Sequence, residues 1–399
     1  MNSITHPLSP CLAVQRDCFV CGTSNGIFFL NEEWDVLGLG VIQKGFRCCS
    51  ECGLILQDPV VSPKTMSYYY KNFSNYTNQS RKGLPTKRKI QAVEDQIYFL
   101  KKHIQKIGSA FQIGCSDGYT LSRFKKNGWQ VYGCEPSAIA LTVAKELWDI
   151  NGSCSEFETY IIEEKDNYDI VILTHVLEHL YNPIEVLKRI DLILNKDGLL
   201  LIEVPLFTNE ELLPEGYFTF EHINYFSHTS LKNTVEAAGF EIVGEVEDDY
   251  ETDIYPIQRL VAQRGAKSTR EPIKEVNWAK SVINNYVKNE MNIWNDFSSK
   301  INEFIPKMKD YVIWASGIHT SQLLCRCKLN KMPIAIVDTD IQKWGLKIKG
   351  IQVISPDEYF KEYKDTKVVI SSQASEVEIY NNLVKKGILE TQIKLLYQK

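Results

Sequence analysis

Several features are scarce or missing in this chain of 399 residues. No stretch approaches the roughly 18 uncharged apolar residues that a membrane-spanning helix needs, so membrane insertion is not expected. The start of the chain, Met1 to Val14, has neither a basic region nor a continuous apolar run, which argues against a secretory signal peptide. Basic residues are not in excess. Lys and Arg number 45 against 50 Asp and Glu, a formal net charge of -5. A surface that grips nucleic acid or an anionic membrane over its whole extent is usually basic, so no nucleic-acid partner is expected. Low-complexity tracts and short-period repeats are missing too, which excludes collagen-like and mucin-like chains. The remainder is an ordinary globular mixture, 44 % hydrophobic and 24 % charged. At roughly 150 residues per domain the length asks for two or three domains, in a chain expected to be cytoplasmic.

The 11 cysteines are unevenly placed, six of them within the first 52 residues. In a reducing compartment they are not expected to form disulfides. Cys18-Phe19-Val20-Cys21-Gly22 and Cys49-Ser50-Glu51-Cys52-Gly53 are two C-x-x-C-Gly knuckles. In each, two thiolates can point at one centre, and the following glycine permits the turn's backbone angles. Cys18, Cys21, Cys49 and Cys52 therefore form a ligand set for a structural Zn2+ ion, with no position left open for catalysis. Cys48 is an alternative to Cys49, but only Cys49 keeps the spacing of three; Cys11 has no partner motif. The other reading is a set of free buried thiols.

Four segments follow from the patterning. Residues 1–80 form the zinc-binding module, whose end, Pro59 to Arg81, is rich in Tyr, Asn and Ser (Tyr68, Tyr69, Tyr70, Tyr76) and reads as irregular. Residues 81–266 open with a helical pattern from Lys89 to Lys106, its apolar positions including Ile90, Val93, Ile97 and Tyr98. From Ala110 strands alternate with helices: Phe111–Ile113, Thr120–Asn127, Val131–Cys134, Ala138–Asp149, Asp169–Leu173, Pro183–Leu194 and Leu199–Val204. Such alternation predicts a doubly wound, Rossmann-like α/β domain with a mostly parallel sheet. Residues 267–310 carry apolar residues at helical spacing and read as one or two linking helices. Residues 311–399 alternate again, as a smaller Rossmann-like α/β domain.

Ile113-Gly114-Cys115-Ser116-Asp117-Gly118 falls at the first strand-to-helix turn. Gly114 allows a sharp turn and Gly118 a close helix–strand approach. Glu135, followed by Pro136, ends the next strand 21 residues beyond Gly114, where a carboxylate can accept two ribose hydroxyls. Two glycines in place of three leave no pyrophosphate cradle, which favours a nucleoside without phosphates. S-adenosylmethionine fits, with Gln112, Gly114, Ser116, Gly118, Glu135, Pro136 and His175 as the residues that would bind it. His175, Glu178 and His179 also suit a helix start with ordinary packing and ion pairs.

The run Ile113 to Leu121, followed by Gly133-Cys134-Glu135-Pro136-Ser137, resembles class I S-adenosylmethionine-dependent methyltransferases. With the cysteine knuckles ahead and a second α/β unit behind, the whole chain resembles the three-module zinc-containing sugar C-methyltransferases that act on nucleotide-linked deoxysugars. Gln112 stands where methyltransferases usually carry an acidic residue that reaches the methionine amine; Gln accepts the same hydrogen bond without charge assistance.

After the strand ending at Pro205 comes Phe218-Thr219-Phe220-Glu221-His222-Ile223-Asn224-Tyr225-Phe226-Ser227. Carbon methylation next to a ketone needs a base for the α-proton and donors for the enolate. A His with a reference pKa near ~6.5 suits the base role. The resemblance implies that His222 is that base, with Glu221 orienting its ring or holding a substrate hydroxyl and Tyr225 in the following run. The family places a tyrosine two positions before the Glu, whereas this chain has Thr219; Tyr217 and Tyr225 are the nearby phenols. The family's Gly-Gly-Ser-Leu-Arg-like element is replaced by Ile254-Tyr-Pro-Ile-Gln-Arg259. The competing reading of Glu221 and His222 is a turn that packs a lid.

In the last segment Ser316, Gly317, His319 and Thr320 follow a strand, and Asp338 ends the next one. They suit either contact with a substrate's nucleotide or phosphate, or a scaffold alone. The expected protein is an S-adenosylmethionine-dependent methyltransferase acting on a small-molecule acceptor, a sugar nucleotide or glycan. O-methylation of a sugar or polysaccharide hydroxyl is the alternative within enzymes, and a non-catalytic zinc-ribbon scaffold is the alternative outside them.

Overall fold

A computed structural model describes residues 13–72, 84–248, 256–265, 271–306, 309–373 and 375–397. Cys11, Tyr76, Ile254 and Tyr255 lie outside the described residues. The chain divides into two compact units: residues 14–29 with 45–284, and residues 30–44 with the chain from 285 onward. The sequence divisions at 80, 266 and 310 cut it differently, because the segment carrying both cysteine knuckles is part of the first unit.

In the first unit the strands around the cysteine knuckles come first. β1 (Gly26–Val36) and β2 (Gly40–Cys49) form a hairpin, residues 30–44 of which belong to the other unit. β3 (Ile55–Gln57) pairs antiparallel with β2 at Cys48↔Ile55. The Tyr-rich segment is not irregular throughout: Pro63, suited to a first helical turn by its fixed φ, opens α1 (Pro63–Asn72).

The α/β part follows as α2 (Lys87–Leu100), β4 (Ser109–Ile113), α3 (Tyr119–Lys126), β5 (Gln130–Cys134), α4 (Ala138–Trp148), β6 (Gly152–Ser153), β7 (Tyr168–Thr174), α5 (Pro183–Ile190) and β8 (Leu194–Pro205). Then come β9 (Asn224–Tyr225), α6 (His228–Ala237), β10 (Phe240–Asp248) and β11 (Ile257–Arg264). The seven-stranded sheet has the order β10-β11-β8-β7-β4-β5-β6. β11 pairs antiparallel with both neighbours, while β4, β5, β7 and β8 run parallel. The chain leaves β4 toward β5 and returns on the other side at β7. The carboxyl end of β4 is therefore a switch point, where open α/β sheets bind ligands.

Two helices differ from expectation. α2 stops at Leu100 and leaves Ile90 and Tyr98 exposed, so its buried face is Val93, Gln96, Ile97, Phe99 and Leu100. α5 ends at Ile190, and Leu194, expected as its last residue, instead begins β8. Cys18, Cys49, Cys52, Leu54 and Leu56 share one core with Phe111, Ile113, Leu173, Leu200, Ile202 and Phe226. Each large apolar side chain buried there contributes roughly 1.5–3 kcal/mol.

The stretch expected as one or two linkers is the single helix α7 (Val276–Phe304), whose residues fall in both units. The second unit then has β12 (Tyr311–Trp314), α8 (Ile318–Arg326), β13 (Ala335–Val337), β14 (Lys347–Ile348), β15 (Ile351–Ile354), β16 (Lys367–Ile370), α9 (Glu376–Lys385) and β17 (Ile393–Lys394). Its sheet order is β14-β15-β13-β12-β16-β17, parallel except for β14. Both units are thus α/β folds with Rossmann-like sheets. Among the described residues no helix is long and apolar enough to cross a membrane.

Candidate functional site

The β4–α3 turn is built by backbone conformation. Gly114 has φ +66°, and a Cβ there would lie 2.8 Å from Val176 Cγ2. Gly118 has φ +77°, and a Cβ would lie 2.6 Å from that of Ala144 on α4. Ser116 also has positive φ, 48°, which aims its N–H at Glu135 Oε2, 3.0 Å away. Glu135 Oε1 accepts from Ser137 N at 2.9 Å. Burial pushes the Glu135 carboxyl up, against the pull of these two N–H groups. Pro136 follows, half-buried.

Gln112 is the penultimate residue of β4, beside this turn. Its Nε2 donates to Thr174 Oγ1 at 3.2 Å, while its buried Oε1 has no hydrogen-bond partner. An orphaned buried acceptor costs about 1–3 kcal/mol unless a ligand donates to it. A neutral acceptor at Gln112, a carboxylate at Glu135 and no pyrophosphate cradle fit the ammonium and ribose hydroxyls of S-adenosylmethionine. His175, at φ +55°, stands between two buried carboxylates: Nδ1 is 3.6 Å from Glu178 Oε1 and Nε2 is 3.4 Å from Glu203 Oε1. Arg259 Nε donates to Glu203 Oε2 at 2.6 Å and Gln96 Nε2 to Glu203 Oε1 at 3.0 Å. Burial opposes ionisation of Glu203, yet His175 and Arg259 together hold it below the usual carboxylate range.

The loop after β8 meets the segment after β7. His179 Nδ1 lies 2.9 Å from the Glu221 carbonyl and 3.0 Å from the Tyr70 hydroxyl. The His179 and His222 rings are 4.9 Å apart, edge to face. His222 N donates to Thr219 Oγ1 at 3.3 Å. Burial pulls the His222 imidazole down to about 3, helped by His179 and opposed by Glu178. Burial pushes Glu221 up, although His179 and a hydrogen bond from Tyr69 work against the shift. The Tyr225 hydroxyl is committed to the loop: it donates to the Thr219 carbonyl at 3.0 Å and accepts from Thr219 N at 2.8 Å.

Sequence reasoning missed Tyr69 and Tyr70, which α1 brings to Glu221 and His179, and the Glu203–Arg259–Gln96 network. The Tyr triplet was visible; Pro63 was the available sign that it is helical.

The four knuckle sulfurs come together, all within 4.8 Å of one another. Cys18 Sγ is 3.6 Å from Cys52 Sγ, and Cys21 Sγ is 3.4 Å from Cys49 Sγ. Zn–S bonds of about 2.3 Å place tetrahedral sulfurs roughly 3.8 Å apart, so the set fits zinc. Cys48 stands outside it. Its Sγ faces the Cys49 and Gly53 carbonyls at 3.9 and 3.8 Å, and burial pushes its thiol up to about 12.

In the second unit the Ser316 N–H and hydroxyl both donate to Asp338 Oδ2, at 2.9 and 2.5 Å. His319 Nδ1 is 2.8 Å from Ser371 Oγ, its Nε2 meets the Tyr397 hydroxyl, and Thr320 Oγ1 donates to Ser371 Oγ at 2.9 Å.

Comparison with known proteins follows these divisions. Residues 89–245 match a family described as "Methyltransferase domain", and residues 307–394 a second described as "C2185-like, N-terminal". The ubiquinone biosynthesis O-methyltransferases of Rhodopseudomonas palustris strains TIE-1 and ATCC BAA-98 / CGA009 are each 28 % identical over 93 residues. That match covers 23 % of this chain and 37 % of theirs, so the chain spans little more than a third of those curated relatives. Similar solved structures include 1,6-didemethyltoxoflavin-N1-methyltransferase from Burkholderia thailandensis, at 14 % identity and TM-score 0.42 over 56 % of this chain and 96 % of that one. Magnesium protoporphyrin IX methyltransferase from Synechocystis PCC 6803 shows 16 % identity and TM-score 0.41 over 51 % of this chain and 100 % of that one. The match to a methyltransferase domain extends over residues 89–245 of this chain.

Proposed function

We propose that the chain methylates a sugar carried on a nucleotide or within a glycan, preferring carbon next to a keto group. One observation carries the cofactor part of this reading, and the resemblance of the whole chain carries its sugar acceptor. Glu135 and the orphaned Gln112 Oε1 sit at the carboxyl edge of β5 and β4, beside the switch point. Bound there, S-adenosylmethionine supplies an electrophilic methyl group on sulfur. Glu135 accepts the ribose hydroxyls and Gln112 accepts the ammonium. Gly114, Ser116, Gly118 and Pro136 shape the turn around the nucleoside, and His175 flanks the methionine end. A structural zinc on Cys18, Cys21, Cys49 and Cys52 holds the knuckles.

Glu221, His222 and Tyr225 belong to the acceptor side. Reference values alone favour His222 as base. Burial reverses that order, since it lowers His222 to about 3 and raises Glu221. Glu221, hydrogen-bonded by Tyr69, is therefore the group that takes the acceptor's α-proton, and the enolate left behind then forms the carbon–methyl bond as the methyl's bond to sulfur breaks. His222 stays neutral beside it, and Tyr225 fixes the loop through Thr219. Oxygen as the nucleophile is the second reading, favoured by Thr219, which leaves no phenol at that position to hold an enolate.

The test is Glu221→Gln assayed with a nucleotide-linked keto-deoxysugar. Turnover should fall by roughly 100-fold or more, with S-adenosylmethionine affinity unchanged by calorimetry. In the wild type kcat/KM should fall as pH is lowered through the raised pKa of Glu221, above the ordinary carboxylate value of about 4.3, because the base must be ionised. The variant should lack that limb. Near-normal turnover of Glu221→Gln would end the assignment. Exchange of the substrate α-proton into deuterated water without S-adenosylmethionine supports carbon; a methyl ether product without exchange supports oxygen.

A further inference from the structure

The knuckle sulfurs are not the only metal-ligating cluster among the described residues. Glu178, His179 and His222 each offer one ligand atom, all within 4.8 Å of one another. Glu178 and His179 belong to a short 3-10 turn after β7, and His222 to the loop after β8.

Two observations separate this cluster from a chance gathering. The Glu178 side chain is 1 % exposed, and neither of its oxygens has a hydrogen bond. The closest ionisable contacts are His175 Nδ1 at 3.6 Å and His179 Nε2 at 3.8 Å, both too long for one. A buried carboxylate in that state is expensive unless positive charge compensates it, and the facing imidazoles of His175, His179 and His222 supply that charge only when they are protonated. His179, in turn, is oriented from behind. Its Nδ1 is 2.9 Å from the Glu221 carbonyl, which can only accept, and 3.0 Å from the Tyr70 hydroxyl, which can accept as well, so the tautomer with the proton on Nδ1 is the one that suits both partners. In the neutral ring Nε2 then presents its lone pair toward Glu178. A histidine that donates its far nitrogen to a backbone carbonyl is in the orientation typical of a metal ligand. Two acceptors thus face each other across a gap that a cation would fill.

We propose that Glu178, His179 and His222 bind a divalent transition-metal ion, separate from the four-cysteine cluster. Two imidazoles and a carboxylate suit manganese, iron(II) or zinc. Bonds of about 2.0–2.2 Å bring ligand atoms within roughly 3–4 Å of one another, so closing the cluster takes movements of under ~1 Å. Three protein ligands leave positions open, in contrast to the closed set of four thiolates. Water fills them at rest, and the carbonyl or hydroxyl oxygen of the methyl acceptor is the class of ligand that replaces it. That last assignment rests on the proposed function; the ion itself does not.

The test titrates Mn2+ into the full chain as purified, its zinc content measured first, and reads bound ion by electron paramagnetic resonance. Manganese is a poor ligand partner for thiolates, so the knuckles do not compete. One Mn2+ per chain is expected, with Glu178→Gln and His179→Gln each weakening it by roughly 10- to 100-fold at unchanged zinc content and circular dichroism. His222→Gln serves in place of either variant that fails to fold. No uptake by the wild type up to about 1 mM, or variants that bind as tightly as the wild type, would overturn the site and leave His179 and Glu178 as a proton-bridged pair. Uptake as expected in a chain that methylates no sugar would keep the ion and sink the acceptor reading.

Discussion

At the scale of single residues, Gln112 is the most exacting position. Its Nε2 is held by Thr174 and its Oε1 is buried without a donor, so any ligand that fills the turn must satisfy it. Gln112→Leu should weaken S-adenosylmethionine binding about tenfold, the equivalent of one hydrogen bond of roughly 1.4 kcal/mol, in a calorimetric titration. Unchanged affinity would show that Oε1 meets no cofactor donor. Gln112 and Glu135 were legible in the sequence because both lie at strand ends in a local pattern of fixed spacing. Glu178, His179 and His222 each stand out in the sequence, but their convergence was not legible. It depends on how the loop after β8 returns to the turn after β7, which no local periodicity records. The same holds for the burial that separates the pKa values of Glu221 and His222.

At the scale of elements, the knuckles and the loop after β8 are one hydrogen-bonded construction. β3, three residues beyond Cys52, pairs with β9 at Ile55↔Tyr225 and Leu56↔Asn224. Gln57 N donates to the Ile223 carbonyl at 2.9 Å. Arg16, two residues before Cys18, donates to the Ile223 carbonyl at 3.0 Å and to Asn224 Oδ1 at 3.0 Å. Losing the knuckles should therefore loosen the segment that carries Glu221 and His222, not only the segment that carries the cysteines. Cys49→Ser is expected to lose zinc and, at a cost of ~3 kcal/mol, to lower Tm by roughly 6–12 °C, with turnover falling more than cofactor affinity. Metal analysis with thermal melts checks the first part; a variant that keeps its zinc and its Tm contradicts it. Most strands and helices could be read from the sequence to within a few residues, since β4, β5, β7 and β8 are short apolar runs bounded by turns. Helix ends were less legible. α5 stops four residues before Leu194 because that residue is claimed by the sheet, a tertiary pairing with Tyr168. α1 reads as irregular in the sequence because its tyrosines outweigh the helix-starting Pro63.

At the scale of the whole molecule, the two α/β units share a device. In the first, Glu135 accepts N–H groups from Ser116 and from Ser137, two residues on. In the second, Asp338 accepts them from Ser316 and from Asp340, again two residues on, at 2.9 Å each. A carboxylate at the end of the second strand, braced by the turn after the first, is the common element, and the alternation of strands and helices made both units visible in the sequence. Only the first has an orphaned acceptor at the end of the preceding strand, among the described residues, which is why the cofactor is placed there. Calorimetric titration of the full chain with S-adenosylmethionine decides whether this turn binds it. Saturable binding of one equivalent is expected, weakened at least about tenfold by Glu135→Ala; no heat and no thermal shift in the wild type would rule out a cofactor site at this turn.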